Sequence, residues 1–459
     1  MRPDPLVPIV RYVTNPMYCL RDGYNYARHR RALDKSQWLS ADEIAEMQLR
    51  RLRNLLQFCY ERNTFYRERM VGAGLIPSDI RTTGDLALLP LLQKADIRAA
   101  GSAMFSTGFT ASNSIFTRTG GSTGVPLHVY VDREAMNWKY AATWRHNHWA
   151  GWRPGDRVAA IWGDTARAFS IKAWLRNHLQ HRMIFLDTLK FSDESCMAFL
   201  SDIKSFRPTV LFGHAHSVYR FIRYCETHDF RLPRFSGVVT TAMTLSDHER
   251  STIERVTRSP VFNRYGCEEL SVIASESDEH NGLHVFSEGL IVEQLPTDIP
   301  NEKELVITDL FNQAMPMIRY AIGDVARLDP RAGPSERGLS RLQRVSGRTA
   351  DFLYRPDGSS VFGISLLDTY IIHIAGITQA QLVQNQLSTI EVRIVPSPHF
   401  SDATVESIRD IVKNEFGPGV QALVTCVEKL EQTERGKYRF SVCNIRRPDL
   451  QSGATLQEQ

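Results

Sequence analysis

Between about residues 155 and 266, five short apolar runs alternate with longer stretches of helical spacing, and this rhythm restricts the fold more than any other feature. The runs are Val158–Trp162, Met183–Leu186, Thr209–Phe212, Val238–Thr240 and Val261–Tyr265. Short strands separated by helix-length segments are the pattern of an α/β layer with a largely parallel sheet. Residues 282–328 change character. There Leu283–Phe286, Leu290–Glu293, Leu305–Thr308 and Asp324–Leu328 are short and closely spaced, as in antiparallel β structure. The chain shows no internal repeat and no low-complexity segment.

Ahead of the sheet region, Ser40 and Glu43 form a capping-box pattern. Behind it Ile44, Met47, Leu52, Leu55, Leu56 and Cys59 recur at helical spacing, which predicts an amphipathic helix over residues 41–60. Its arginines are expected on a solvated face. A break falls near Gly347. Beyond it the pattern reads strand (Ala380–Gln384), strand (Thr389–Val395), helix (Val405–Asn414), strand (Ala422–Val427), with the extreme C-terminus frayed. A chain of 459 residues exceeds one simple core. The expected architecture is α/β with α+β: a large N-terminal domain of layered α/β subdomains over residues 1–346, and a small mobile C-terminal α+β domain over 347–459.

Composition excludes several classes. With 42% hydrophobic and 23% charged residues the chain has the balance of a soluble globular protein. The net charge of +4 comes from basic residues interleaved with acidic ones, so no nucleic-acid footprint is expected. Seven cysteines show no C-x-x-C spacing, the mark of free thiols in a reducing compartment, not of disulfides or a zinc knuckle. No signal peptide and no membrane span are expected, and the location expected is cytoplasmic.

The strongest local signal is Thr119-Gly120-Gly121-Ser122-Thr123-Gly124-Val125-Pro126. Three glycines let the backbone turn tightly and gather N–H groups at one point, and the hydroxyls add donors suited to phosphate oxygens. Ile115–Thr117 before it and Leu127–Val131 after it read as strands. A Walker A loop needs Gly-Lys-Ser/Thr followed by a helix; neither is present. A plain glycine-rich hairpin turn would account for the same residues.

The segment resembles the Thr/Ser-rich phosphate loop of the adenylate-forming superfamily, which holds acyl-CoA synthetases, peptide-synthetase adenylation domains and luciferases. Four further segments follow in that family's order. Asn263–Glu269 resembles the Tyr-Gly-x-Thr/Ser-Glu segment. The resemblance implies that Tyr265 stacks near adenine beside Gly266, and that Glu269 coordinates the magnesium riding on the phosphates. Glu268, in place of the usual hydroxyl, is the other carboxylate that could face the metal. Arg319–Asp324 resembles the segment whose aspartate holds both ribose hydroxyls, which gives that role to Asp324. Gly347-Arg348-Thr349-Ala350-Asp351 resembles the interdomain hinge, with Arg348 and Asp351 at the pivot. Arg435-Gly436-Lys437 matches the family's Gly-Lys, which implies that Lys437 contacts the acyl and phosphate oxygens during adenylation. Ala242 and Met243 stand where relatives carry Gly-Glu beside the adenine. ATP and Mg are thus the implied cofactors.

Within the superfamily the resemblance is greatest to the phenylacetate–CoA ligase-like branch, which includes capsular-polysaccharide biosynthesis proteins. It is carried by Tyr60–Tyr66, Leu89–Asp96, Asn281–Val285 and Gln381–Asn385. It implies activation of a carboxylic acid, an aryl or small one, as acyl-AMP, followed by transfer to a thiol such as CoA. Transfer to an amine or hydroxyl acceptor is the alternative. A third reading, a nucleotide-binding homologue without catalysis, is motivated by Val125, Glu268, Ala242–Met243 and Ala350. A homodimer is a further expectation. The acyl pocket is expected from 135–165 and 210–245, with Trp162 and His214 among its residues. His214 and His216, at i and i+2 of a strand, would share a face; without a third ligand they read as polar-pocket residues. Cys267, His280 and His284 form an incomplete metal set, and the tryptophans read as core.

Overall fold

A computed structural model describes residues 4–24, 27–118, 127–163, 170–297, 302–327, 335–348, 352–363, 366–367, 370–431, 438–439 and 441–445. The chain divides into two compact units. The first is 1–295 with 305–322 and 327–345; the second is 296–304 with 323–326 and 346–459.

The strands in chain order begin with β1 (Ile115–Arg118), β2 (His128–Val131), β3 (Val158–Trp162), β4 (Met183–Asp187), β5 (Val210–His214), β6 (Gly237–Thr241), β7 (Val261–Cys267), β8 (Ser271–Glu276) and β9 (Leu283–Val285). They continue with β10 (Leu290–Pro296), β11 (Lys303–Asp309), β12 (Tyr320–Arg327), β13 (Arg341–Leu342) and β14 (Arg344–Arg348).

The first unit is built on an eight-stranded sheet of order β13-β9-β8-β7-β6-β5-β3-β4. Strands β4, β3, β5, β6 and β7 run parallel, as the apolar runs require; β8, β9 and β13 add an antiparallel edge. Helices Asp193–Phe206, Ala215–Thr227 and Asp247–Thr257 pack on this sheet, and Ile161, Phe199, Leu211, Phe221 and Ile253 form one buried core. At Gly213 a side chain would meet the Ile161 carbonyl oxygen at 2.6 Å, so glycine lets β5 lie this close to β3. The strands flanking the glycine-rich segment pair antiparallel, from Ile115 opposite Val131 to Arg118 opposite His128. A four-stranded sheet of order β10-β11-β12-β14 follows.

The helix Ala41–Arg62 begins at Ser40 with the expected capping box. Its arginines are not all solvated. The Arg51 guanidinium lies 5.1 Å from the Trp138 ring and 4.8 Å from Phe311, and it donates to the Glu288 carbonyl. Glu288 is itself the centre of a buried cluster. Its carboxylate takes 2.6 and 3.0 Å hydrogen bonds from Arg145 of helix Arg133–Trp149, and a 2.6 Å bond from the Ser36 hydroxyl. Both Arg145 and Glu288 are 1% exposed.

In the second unit, β15 (Phe352–Tyr354) and β16 (Ser360–Phe362) form a hairpin. β17 (Ile377–Gln386), β18 (Thr389–Pro396), β19 (Gln421–Cys426) and β20 (Ser441–Cys443) form a sheet of order β19-β18-β17-β20. The helix Asp402–Phe416 buries Ile408, Val412 and Phe416 in the core that includes Leu382, Ile390 and Val392. The expected strand–strand–helix–strand order is present. The hairpin and β20 are additions, three residues per strand and too short to show alternation. The fully buried Gln384 side chain bonds both the N–H and the C=O of Tyr354 at 2.7 Å, joining the hairpin to β17.

Glu288→Ala leaves Arg145 an uncompensated buried charge and should cost about 3–5 kcal/mol of unfolding free energy, measured by urea denaturation. Replacing both partners, Arg145→Met with Glu288→Leu, should cost clearly less. A loss under about 1 kcal/mol for Glu288→Ala, the range of exposed pairs, would contradict the burial.

Candidate functional site

In open parallel sheets, ligands collect beyond the carboxyl ends of the strands, because helix N-termini and connecting loops converge there. Four adjacent strands, β3, β5, β6 and β7, deliver expected site residues to that edge: Trp162, His214, the Ala242–Met243 turn and Tyr265. Trp162 and His214 have ring centroids 4.0 Å apart, and Trp162 stacks on Phe212 at 5.3 Å. His214 is fully buried and ends β5 as the residue preceding helix Ala215–Thr227. His216 therefore lies in that helix and does not share a strand face with His214. A carboxylate is also beside it: His216 Nδ1 is 2.7 Å from Glu249 Oε1, the residue that closes the capping box of helix Asp247–Thr257.

Ala242 adopts the left-handed region at φ +66°, unusual without glycine, and turns the chain sharply after β6. The Met243 side chain packs against the sheet–helix core. Gly266 sits at an irregularity in the β7–β8 pairing, where a Cβ would stand 2.3 Å from the Ser271 carbonyl oxygen. No larger residue fits there. Behind Tyr265, Arg264 is buried and donates to Asn147, and burial pushes its guanidinium down to about 10.

The turn after β7 separates the two carboxylates. Glu268 is exposed; Glu269 is buried at 6% exposure. Glu269 Oε1 accepts a 3.0 Å hydrogen bond from the Tyr320 hydroxyl. Its carbonyl oxygen accepts a 3.4 Å bond from Lys139 Nζ. That amine in turn stands 2.8 Å from Asp309 Oδ2, and this pair is almost wholly buried. One carboxylate fixed in this way is a donor set that suits magnesium, which takes one or two carboxylates and completes its shell with phosphate oxygens and water. Among the described residues, no group of three or more His, Cys, Asp or Glu could hold a metal by itself. Of the incomplete set, His284 is placed 3.2 Å from the Ser335 hydroxyl, with burial pushing it down to about 4, and His280 packs on Phe262.

Asp324 lies on β12 after Gly323, whose φ is +82°, and is 7% exposed. It belongs to the second unit, as does Arg348 at the end of β14. Thr119–Gly124, Asp351, Lys437 and the Arg348 side chain lie outside the described residues. Lys139, Asp309 and Tyr320 join the site without having been expected. A lysine on the buried stripe of a helix that also buries Ala135, Met136 and Ala142 was the available signal. Tyr320 stood inside the Arg319–Asp324 motif. Asp309 closes a strand with nothing local to mark it.

Residues 353–444 match the CapK C-terminal domain family. The chain is 24% identical over 414 residues to Protein CapK of Staphylococcus aureus, covering 88% of this chain and 90% of that protein. It is 25% identical over 343 residues to the phenylacetate-coenzyme A ligase of Pseudomonas putida, covering 71% of this chain and 75% of that one. The fold is shared with 2-hydroxyisobutyryl-CoA ligase in the postadenylation state with R3-HIB-AMP, at a TM-score of 0.69, 18% identity, and coverage of 91% and 93%. These relatives include ligases that join an acid to coenzyme A. Over most of its length the chain is similar in sequence to CapK and the phenylacetate–CoA ligases, and it shares its fold with an acyl-CoA ligase of the adenylate-forming kind.

Proposed function

We propose that this chain is an AMP-forming ligase that activates a carboxylic acid with Mg-ATP and hands the acyl group to the thiol of CoA. The observation that carries the reading is Glu269. It is a buried carboxylate held by Tyr320 and backed by Lys139, at the carboxyl edge of a parallel sheet, within a segment that begins with Tyr265-Gly266. In this reading residues 1–346 bind ATP and the acid, and residues 347–459 form a lid hinged at Arg348 and Asp351.

Tyr265, Gly266 and the Ala242–Met243 backbone take the adenine, and Asp324 accepts both ribose hydroxyls. Thr119–Gly124 cradle the phosphates with N–H groups and hydroxyls. Glu269 would hold Mg, which supplies charge neutralisation on the phosphates. The acid's carboxylate oxygen attacks the α-phosphorus, the bond to the bridging oxygen breaks, and pyrophosphate leaves. Lys437 stabilises the charge that develops during that attack. The thiol then attacks the acyl carbon and AMP departs. Trp162 and His214, ring against ring, favour an aromatic acid. ATP and CoA as substrates, with reduced cysteines, fit a cytoplasmic enzyme, and a homodimer fits the same reading.

One observation favours a second acceptor. The likeness to CapK spans 88% of the chain and includes its own C-terminal family, whereas the ligase likeness spans 71%. An amine or hydroxyl could therefore take the acyl group in place of CoA. Products formed with CoA and with amines, compared side by side, decide between them.

Acid-dependent exchange between ATP and pyrophosphate should appear across a panel of carboxylic acids. Lys437→Ala should lower it by on the order of 100-fold or more. Exchange at the unaltered rate in that variant would overturn the role of Lys437. ATP binding with no exchange for any acid would favour a homologue without catalysis. Tyr320→Phe removes a hydrogen bond to a charged group, worth about 1.5–3 kcal/mol. It should raise the Mg concentration needed for half-maximal exchange by at least tenfold. An unchanged Mg dependence would remove Glu269 as the metal ligand.

A further inference from the structure

The N-terminal segment is fastened to the first unit along one side and apolar on the other. It runs as Leu6–Ile9, a π-turn Val10–Thr14 and Asn15–Arg21. Asp4 is gripped by Arg157 and Arg182, Arg11 donates to the Pro154 carbonyl at 3.0 Å, and Thr14 donates to that of Leu179. Gly155 leaves room for this contact, since a Cβ there would lie 2.7 Å from the Val7 carbonyl oxygen. Opposite these anchors, Leu6, Ile9, Val13, Met17 and Leu20 follow one another at spacings of three or four residues. All five are exposed, Leu20 to 67%.

This stripe does not end with the segment. The Arg176 guanidinium bonds Asp22 at 2.6 Å, which brings the helix Ile171–Arg176 alongside. Its Ile171 is 76% exposed and its Trp174 51% exposed. Between them lies an open groove of about 430 Å³, lined by Tyr18, Arg21, Ile171, Leu175 and Arg176. Charge is concentrated at the same end of the chain. Residues 1–36 hold seven Lys and Arg against three Asp, an excess equal to the +4 of the entire chain. Two of those aspartates, Asp4 and Asp22, are each neutralised by two guanidiniums.

Soluble monomers rarely expose an apolar surface of this continuity without a use for it. A helix lying in a lipid interface combines an outward apolar stripe, aromatic residues at the boundary and an arginine rim, and all three occur here. A two-fold pairing of this face would instead bring Arg21 and Arg176 towards their own copies. We propose that this face docks on an anionic phospholipid surface, with Leu20, Ile171 and Trp174 entering the headgroup boundary and Arg21 and Arg176 meeting lipid phosphates. Among the described residues no helix is long and apolar enough to cross a membrane, so the attachment is peripheral.

The full-length chain is sedimented with phosphatidylcholine vesicles, with and without about 30% phosphatidylserine, at low and high salt. Binding should be at least tenfold tighter to the anionic vesicles and should fall with salt. Leu20→Ser with Trp174→Ser should weaken it at least tenfold without shifting the melting temperature, since both side chains are exposed. Ile171→Ser is the independent second variant, expected to act in the same direction. Arg21→Gln should weaken binding about fivefold, the value of one cation near such a surface. Equal binding to neutral vesicles, no binding, or unaltered binding by these apolar variants would overturn the proposal. So would a chain that sediments as a dimer and is converted to a monomer by Leu20→Ser with Trp174→Ser.

Discussion

A guanidinium and a carboxylate, each removed from water, are costly to bury unless they meet with good geometry and further hydrogen bonds. Arg145 and Glu288 meet that condition with two parallel bonds, and Ser36 and Arg51 complete the shell around Glu288. The pair ties helix Arg133–Trp149 to the turn between β9 and β10, and draws in the two helices that carry Ser36 and Arg51. The register of that long helix is thereby fixed. Six residues before Arg145, the same helix carries Lys139, whose amine reaches Asp309 and the Glu269 carbonyl. One buried charge pair sets where a second one lies, and the second stands against the candidate metal ligand.

The parallel sheet contributes in a different way. β5 and β6 end level with one another, His214 opposite Thr241, and β7 passes Thr241 at Arg264 and runs three residues further to Cys267. Residues far apart in sequence are therefore delivered to one edge by backbone hydrogen bonding alone. Gly266 and the left-handed Ala242 keep the backbone tight at that edge, Gly266 because the Ser271 carbonyl oxygen leaves no room for a Cβ. The carboxylate next in line, Glu269, is buried while its neighbour Glu268 faces solvent.

Local periodicity made much of this legible. The five parallel strands, the capping box at Ser40 and the strand–strand–helix–strand order near the C-terminus all follow from residue spacing, because strands buried on both faces read as unbroken apolar runs and helices carry one apolar stripe. Features that depend on distant partners were not visible. Arg51 read as a solvated arginine because its aromatic neighbours Trp138 and Phe311 lie far along the chain. Lys139 and Asp309 are 170 positions apart, and no local pattern connects them. His214 and His216 read as strand neighbours because the apolar run gave no sign that β5 stops at His214. The three-residue strands β15, β16 and β20 are too short for any period to register. The nucleotide-site residues were named through resemblance; of the two adjacent carboxylates, Glu269 is buried and bonded by Tyr320 while Glu268 is exposed, a difference no local spacing could give.

Adenylation makes a demand that no other route to an activated acid shares: the attacking carboxylate gives up one of its own oxygens to AMP. The most direct measurement uses an acid that supports pyrophosphate release, labelled with oxygen-18 in its carboxylate, and mass spectrometry of the nucleotide product. Adenylation should give AMP carrying one labelled oxygen. Unlabelled AMP, or label appearing in orthophosphate beside ADP, would contradict it.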